Sequence, residues 1–177
     1  GNDFLIFDFR LDTTTAKIFY SQKHLVKQLC NRNFGIGADG LILILPSLNG
    51  GLARMEIFNS DGSIAEMCGN GVRCLIKYIL NHSNLDKDFR FFIETLAGNI
   101  FAHINDLTEI EVEMGTPIFS PDRIPCTLAV NDLGVPQGNT DLDNINVVIY
   151  AAGMGNPHMI ILMESLKGLK IDQWGPQ

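Results

Sequence analysis

The segment FNSDGSIAEMCGNGVRC, residues 58–74, decides the fold of this chain. An apolar run, residues 55–58, leads into it as a strand. A polar turn at residues 59–62 follows, because Asp-Gly favours tight turns. The sequence Cys-Gly-Asn-Gly at residues 68–71 then opens a helical segment, residues 72–80. The pattern therefore predicts a cysteine at the N-terminal end of a helix, beside a loop that contains two glycines.

The helical segment carries apolar residues at helical spacing on one face, and it is the most apolar helix pattern in the chain. These residues are Val72, Leu75, Ile76, Ile79 and Leu80. Apolar or alternating runs on either side predict strands at residues 4–9, 41–45, 54–58, 89–95, 99–104 and 109–114. Short connections between the last three predict an antiparallel meander. We therefore expect a core helix wrapped by strands.

The other segments give weaker patterns. Residues 12–15 are typical of a loop, and Ser21 is a plausible N-cap of a short helix that ends near Cys30. Residues 131–144 are polar and turn-rich, which predicts a loop in the middle of this segment.

Strands are predicted at residues 146–152 and 159–163, with a turn at residues 154–158 between them. Glycine and closely spaced prolines interrupt the pattern from Gly115 onwards, so we predict domains at residues 1–115 and 116–177.

Composition excludes several classes of function. The 177 residues are 46% hydrophobic and 19% charged, which suits a packed core, and the net charge is −7. An acidic chain is a poor binder of nucleic acid or of an anionic membrane surface. No apolar run reaches the roughly 20 residues that a membrane span needs. With no secretion signal in view, we expect a cytoplasmic protein whose four cysteines are reduced thiols.

Three glycines, Gly35, Gly37 and Gly40, match the spacing G-x-G-x-x-G. A dinucleotide site needs a strand before this motif and a helix after it. Here a predicted helix precedes the motif and a buried strand follows, so we interpret it as a glycine-rich turn. A turn that packs beside a ligand pocket is the alternative.

Cys68 is the strongest candidate for chemistry. Unpaired N–H groups and the helix dipole at a helix N-terminus favour the thiolate form of a cysteine, and flanking glycines let backbone amides approach an anion. The alternative is a buried cysteine that acts as a small hydrophobe. Cys74 lies inside the helix, where core packing is the simpler role. The spacing of these two cysteines matches no common zinc site, so no metal is predicted.

Four asparagines stand at loop or turn positions beside or close to a glycine: Asn2, Asn59, Asn70 and Asn156. Neutral amides can hold both a carboxylate and an ammonium group, which suits an amino-acid ligand. His158 follows Asn156 and a proline. It could polarise a nearby thiol or simply end a turn, and spacing leaves both alternatives open.

The sequence resembles the diaminopimelate epimerase family. The matching motifs occur in the family's order and cover nearly the whole chain: GNDF at 1–4, GIGADG at 35–40, FNSDGS at 58–63, CGNGVRC at 68–74, MGTPIF at 114–119 and MGNPH at 154–158. The resemblance implies an α+β fold. In the family each of two similar domains wraps a mostly antiparallel, barrel-like sheet around a central helix, with the active site between the domains.

The resemblance also implies a reaction. Family members interconvert LL- and meso-diaminopimelate for lysine and peptidoglycan precursor synthesis, without a cofactor, by proton transfer between two cysteines. Cys68 matches the first cysteine. Gly69 and Asn70 match the amide pair that holds the substrate carboxylate. The asparagines at positions 2, 59 and 156 match substrate contacts, and His158 matches a histidine that tunes the thiols. A homodimer is compatible with the resemblance.

One departure from the family matters. The family's second cysteine stands in a glycine-rich Ala-Cys-Gly-x-Gly setting in the last third of the chain, and this sequence contains no such motif. Cys74 and Cys126 lack that setting. We therefore expect a truncated portion of such an enzyme that does not racemise efficiently alone. A related two-cysteine racemase, a non-catalytic amino-acid-binding module and a thiol redox protein are the alternatives.

Overall fold

The structure is a computed structural model that describes residues 2–83, 90–105 and 109–175. The chain divides into two compact units, Gly1–Met114 and Gly115–Gln177, each with its own sheet. We call them the first and the second unit. None of the helices in the described ranges is long and apolar enough to cross a membrane.

The first unit combines a seven-stranded sheet with three helices. The strands are β1 (Phe4–Asp8), β2 (Gly40–Leu45), β3 (Ala53–Asn59), β4 (Ile64–Ala65), β5 (Arg90–Thr95), β6 (Gly98–Ile104) and β7 (Ile110–Val112). The helices are α1 (Thr13–Ser21), α2 (Lys23–Cys30) and α3 (Gly69–His82). Residue 89, the predicted start of β5, lies outside the described residues.

The sheet curls around α3. Its order is β1-β2-β3-β5-β6-β7, with β4 paired to β3. Among the strands of the described residues, only the pairs β1–β2 and β3–β5 are parallel. The helix contacts β1 at one edge of this order and β7 at the other, as well as β2 and β3. A sheet whose two edges both reach the same helix forms a half-barrel. The predicted α+β fold, with a mostly antiparallel sheet around a central helix, is confirmed.

Strand β2 is buried on both faces, which explains its unbroken apolar sequence. Successive side chains of a strand point to opposite faces. Ile42 and Ile44 pack into the core around α3, whereas Leu41, Leu43 and Leu45 pack on the other face with residues of α1 and α2. Full burial of one such side chain stabilises the fold by about 1.5–3 kcal/mol. The two helices therefore form an outer layer over the half-barrel.

Helix α1 corrects the prediction of a loop at residues 12–15 and of an N-cap at Ser21. The carboxylate of Asp12 caps α1 by accepting from the Thr14 N–H at 3.0 Å, and Ser21 is the last residue of that helix. The sequence did not predict this helix because three consecutive threonines, which are β-branched, lower its helix propensity. Burial of Ala16 and Phe19 against β2 supplies the stabilisation that propensity lacks.

The second unit is built on a four-stranded antiparallel sheet of order β11-β10-β9-β8. Its elements are β8 (Ala129–Val130), β9 (Pro136–Leu142), β10 (Ile145–Gly153), β11 (Pro157–Ile161) and a short helix α4 (Ile171–Trp174). Its buried apolar residues are Ile124, Leu142, Val147, Ala151 and Ala152.

Strand β9 contradicts the loop predicted in the middle of residues 131–144. Its polar sequence is held by pairing to strands on both sides, β8 and β10. The hairpin to β10 turns at Asp143 and Asn144, whose φ angles are 51° and 68°. Two positive φ angles are typical of a type I′ turn, where aspartate and asparagine are tolerated. The next turn is shorter than predicted, because Pro157 and His158 already belong to β11.

Candidate active site

The turn between β3 and β4 fixes the position of Asn59. The Asn59 N–H donates to the carbonyl of Ser63 at 2.8 Å, and Gly62 closes the turn with a φ of 78°. The Asn59 carboxamide donates through Nδ2 to Ser63 Oγ at 2.9 Å, and that hydroxyl donates to Asp61 at 2.6 Å. The Ser63 hydroxyl, followed by the Ser63 backbone N–H, lowers the pKa of the Asp61 carboxyl. Asn59 is therefore held on an exposed, rigid corner.

Cys68 is the N-cap of α3. Its backbone is extended, with φ −147° and ψ 116°, and its Sγ accepts from the Gly71 N–H at 3.4 Å. The Val72 N–H donates to the Cys68 carbonyl at 2.9 Å and closes the first turn. The prediction of a cysteine at the start of a helix is confirmed. The helix itself begins at Gly69, three residues earlier than the apolar pattern indicated.

The next two backbone N–H groups are those of Gly69 and Asn70. We call them the carboxylate cradle, after the role that the family resemblance predicts for them. The first N–H groups of a helix have no partner within it, and no acceptor contacts these two among the residues that the structure describes. They carry the positive end of the helix dipole, next to the sulfur. A Cβ atom at Gly69 would lie 2.6 Å from Met114 Sδ. Glycine at this position lets the methionine lie against the helix start.

Asn2 is brought to the same helix start from the segment before β1. Asn70 donates through Nδ2 to Asn2 Oδ1 at 2.9 Å. Asn2 in turn donates through Nδ2 to Asp39 Oδ2 at 3.3 Å. The backbone carbonyl of Asp39 accepts from the Ser60 N–H at 3.1 Å, next to Asn59. Asn2 and Asn70 are thus in direct contact at the helix start that Cys68 caps, and Asn59 is linked to them through Ser60 and Asp39.

Sequence reasoning missed the charged residues of this network, Asp3, Arg32 and Asp39. The Arg32 guanidinium donates to both oxygens of Asp3, at 3.0 and 2.8 Å, and to Asp39 Oδ1 at 2.7 Å. Its hydrogen bonds, above all, lower the pKa of Asp3 to about 2, and the two carboxylates raise the pKa of Arg32. All three stand inside loops rich in glycine and asparagine. Only 19% of the residues are charged, so charged side chains inside glycine-rich loops were the signal that could have identified these three.

Cys74 lies within α3 and packs against its apolar core. Burial raises the pKa of its thiol, and the charge of Cys68 raises it further. Both effects oppose the formation of a thiolate at Cys74.

Asn156 and His158 belong to the second unit. The carbonyl of Asn156 accepts from the Met154 N–H at 3.0 Å in a turn where Gly155 has a φ of 88°. His158 is exposed and stands opposite Ala152 in the ladder between β11 and β10. Their roles at a ligand site stay predictions.

Comparison with known proteins identifies the family. The family described as "Diaminopimelate epimerase" matches residues 1–120. The chain belongs to the diaminopimelate epimerase family. A diaminopimelate epimerase of Prochlorococcus marinus (strain NATL2A) is 46% identical over 99% of this chain and 62% of its own length. The chloroplastic diaminopimelate epimerase of Oryza sativa subsp. japonica is 40% identical over 97% of this chain and 48% of its own length. The chain therefore spans less than two thirds of these epimerases.

Solved structures share the fold of this family member at low sequence identity. A Bacillus anthracis phenazine biosynthesis protein of the PhzF family aligns with a TM-score of 0.55 and 19% identity, over 91% of this chain and 50% of that chain. A hydroxyproline epimerase from Agrobacterium vitis aligns with a TM-score of 0.53 and 14% identity, over 80% and 40%. These likenesses show the fold alone.

Proposed function

We propose that this chain carries one half of the active site of a diaminopimelate epimerase, which interconverts LL- and meso-diaminopimelate. The observation that carries the proposal is the start of α3. There a cysteine sulfur caps the helix, directly before two backbone N–H groups at the positive end of the helix dipole. Family membership supports the substrate, because the relatives named above are diaminopimelate epimerases.

The chemistry follows from this arrangement. A substrate carboxylate binds the carboxylate cradle as an anion at a helix N-terminus. The Cys68 thiolate removes the proton from the neighbouring carbon, so a C–H bond breaks and an S–H bond forms. Negative charge then spreads onto the carboxylate, where preorganised N–H groups stabilise it without reorganisation. No cofactor is needed for this step.

Inversion of the stereocentre needs a second acid on the opposite face of the carbanion. We propose that a second cysteine, in a part of the relatives' length that this chain does not match, delivers that proton. Each turnover then leaves the two cysteines with exchanged protonation states. Asn2, Asn59 and Asn156 contact the amino-acid substrate, and His158 tunes the thiol pair. Reduced thiols suit a cytoplasmic enzyme of lysine synthesis.

The test is deuterium uptake at the α-carbon of diaminopimelate, in deuterium oxide, by a protein of the relatives' full length. We expect Cys68→Ser to slow exchange at least about 100-fold, because it removes the base that takes the proton. Binding of diaminopimelate should survive, since the cradle is unchanged. Exchange at the parent rate in Cys68→Ser would refute the proposal. Faster turnover of another amino acid would favour a related racemase.

For the 177-residue chain alone we infer amino-acid binding without efficient epimerisation. The sequence holds one cysteine in a glycine-rich helix start and no second such motif. Calorimetry with diaminopimelate, beside an epimerisation assay on the same sample, tests this. Full turnover by the isolated chain would contradict both the two-cysteine mechanism and this inference.

A further inference from the structure

Asp39 stands at the centre of a closed set of polar contacts beside the helix start. Its Oδ1 accepts from Arg32 at 2.7 Å. Its Oδ2 accepts from the Asp3 N–H at 3.2 Å and from Asn2 Nδ2 at 3.3 Å. Arg32 also donates to both oxygens of Asp3. These hydrogen bonds connect the segment at residues 31–40 to the segment before β1. The set therefore has a fixed geometry although its members lie at the surface.

The carboxylate of Asp39 determines which way the Asn2 amide faces. An ionised carboxylate only accepts hydrogen bonds, so the NH₂ end of Asn2 must face it. The carbonyl end of Asn2 then faces Asn70, and Asn70 has to present its own NH₂ group, as the 2.9 Å contact shows. The direction of hydrogen bonding along Asn70, Asn2 and Asp39 is thus set by one negative charge.

The start of α3 needs such an anchor. Its first turn reads Gly69-Asn70-Gly71, and each glycine in a helix costs about 1 kcal/mol relative to alanine. Glycines lower the stability of a helical turn, so a contact that holds the Asn70 side chain stabilises this one. Asn70 is the only residue of the three with a side chain, and that side chain is held by Asn2. Fixing Asn70 therefore fixes its own N–H group and that of Gly69, which directly follow the Cys68 cap.

We propose that Asp39 and Arg32 are positioning residues of the carboxylate cradle, acting through Asn2 on Asn70. They do not contact the reacting atoms. The identity of the ligand rests on the proposed function, whereas the hydrogen bonds that connect Asp39 to Asn70 through Asn2 do not.

The first test follows the side-chain amide signals of Asn2 and Asn70 by NMR in the isotope-labelled 177-residue chain. In Asp39→Asn the neutral amide can offer either end to Asn2, so we expect the Asn70 side-chain signals to shift or broaden. Hydrogen exchange at Gly71 and Val72 should also quicken. If Asp39→Asn folds poorly, Asn2→Ala is the second variant. It removes the side chain between Asp39 and Asn70, and we expect the same effect on the Asn70 signals.

Asp8→Asn is the matched control. Asp8 forms a carboxylate–guanidinium pair with Arg10 at 2.7 Å, and it is the last residue of β1, at the opposite end of that strand from Asn2. Loss of the Asp8 charge should leave the Asn70 side-chain signals unchanged. Unchanged Asn70 signals in both Asp39→Asn and Asn2→Ala would overturn the proposal, whatever the ligand is.

The second test measures the affinity of the same chain for diaminopimelate by calorimetry. A misplaced hydrogen-bond donor should weaken binding about fivefold to tenfold in Asp39→Asn, with Asp8→Asn at the parent value. Altered Asn70 signals with unchanged affinity would overturn the role of the link in the cradle. No binding by the parent chain would count against the proposed function, and the NMR result would still decide the positioning link.

Discussion

The carboxylate of Glu94, at the end of β5, is 5% exposed and organises the connection between β2 and β3. It accepts from the Ser47 hydroxyl at 2.5 Å and from the backbone N–H groups of Leu48 and Asn49 at 2.9 and 2.7 Å. The Ser47 hydroxyl, followed by those N–H groups, lowers the pKa of Glu94 to about 2. One ionised side chain thus accepts hydrogen bonds from the donors of a loop that has no regular hydrogen bonding of its own.

This pKa predicts a pH dependence of stability. A carboxyl with a depressed folded-state pKa stabilises the fold above its unfolded value, here 4.5, and loses that contribution as pH falls towards 2. We expect the difference in unfolding free energy between the parent and Glu94→Gln to be largest near neutral pH and to shrink between pH 4.5 and 2. Urea unfolding at several pH values measures it. A difference that is constant across this window would contradict the assignment.

The cysteines are predicted to differ in their reactivity. Burial raises the pKa of the Cys30 thiol, and burial with the charge of Cys68 raises that of Cys74. Cys68 is half-buried, at a helix N-terminus. We expect iodoacetamide to modify Cys68 before Cys30 and Cys74, as followed by peptide mass spectrometry. In Cys68→Ser, Cys30 and Cys74 should stay slow. Early modification of either in the parent would refute the ranking.

Among the elements, α3 carries the core of the first unit. Leu75 and Ile76 are fully buried and pack on β2 and β3. We expect Leu75→Ala to lower the unfolding free energy by about 2–5 kcal/mol, because it removes buried apolar contacts and leaves a cavity. Arg73→Ala on the exposed face of the same helix is the control, with an expected change within about 0.5 kcal/mol. Denaturant unfolding of both variants tests this, and equal effects would contradict the packing.

The turn between β3 and β4 gives a second prediction about an element. Gly62 has a φ of 78°, and a Cβ atom there would lie 2.8 Å from the Lys23 carbonyl oxygen. Gly50 has a φ of 85° with nothing within 4 Å. Left-handed backbone costs a residue with a side chain about 1–2 kcal/mol, so both alanine variants should lose stability. Gly62→Ala should lose at least about 1 kcal/mol more from the clash. Equal losses in thermal unfolding would refute the close approach.

The elements also show what the sequence could predict. Helix α3 and strand β2 were predictable because the helical spacing of apolar residues in α3 and the unbroken apolar run of β2 reflect burial directly. Helix α1 was not, since its propensity is low and its stabilisation comes from Phe19 packing on a distant strand. Strand β9 was not, because pairing with its neighbours, and not its polar side chains, makes it a strand. Tertiary contacts overrode the local pattern in both cases.

In the molecule as a whole, the two units differ in the number and size of the apolar side chains that they bury. The first unit buries large side chains on both faces of β2, whereas the buried residues of the second unit are few and include Ala151 and Ala152. Regions with little buried apolar surface open more readily. We expect backbone amides of β9 and β10 to exchange with deuterium at least about tenfold faster than those of β2 and β3. Mass spectrometry of peptides measures this, and equal protection would contradict the difference.

The candidate site was predictable only where its residues lie next to one another in sequence. Cys68, Gly69 and Asn70 share one helix start, so their arrangement follows from the local pattern. The contact between Asn2 and Asn70, and the charges that direct it, depend on how β1 enters the sheet beside β2. The family resemblance named Asn2, and the structure supplied the reason for its position.

The parallel pairing of β1 with β2 has a consequence for the timing of assembly. Strands β2 and β3, and β5 and β6, are neighbours in sequence and pair antiparallel, so they can form early as local hairpins. Strand β1 precedes β2 in the chain, yet residues 9–39 separate the two strands, and closing that long connection delays their pairing. Asn2 is carried by this late strand. We therefore expect ligand binding to recover later than helical structure when the unfolded chain is returned to native conditions.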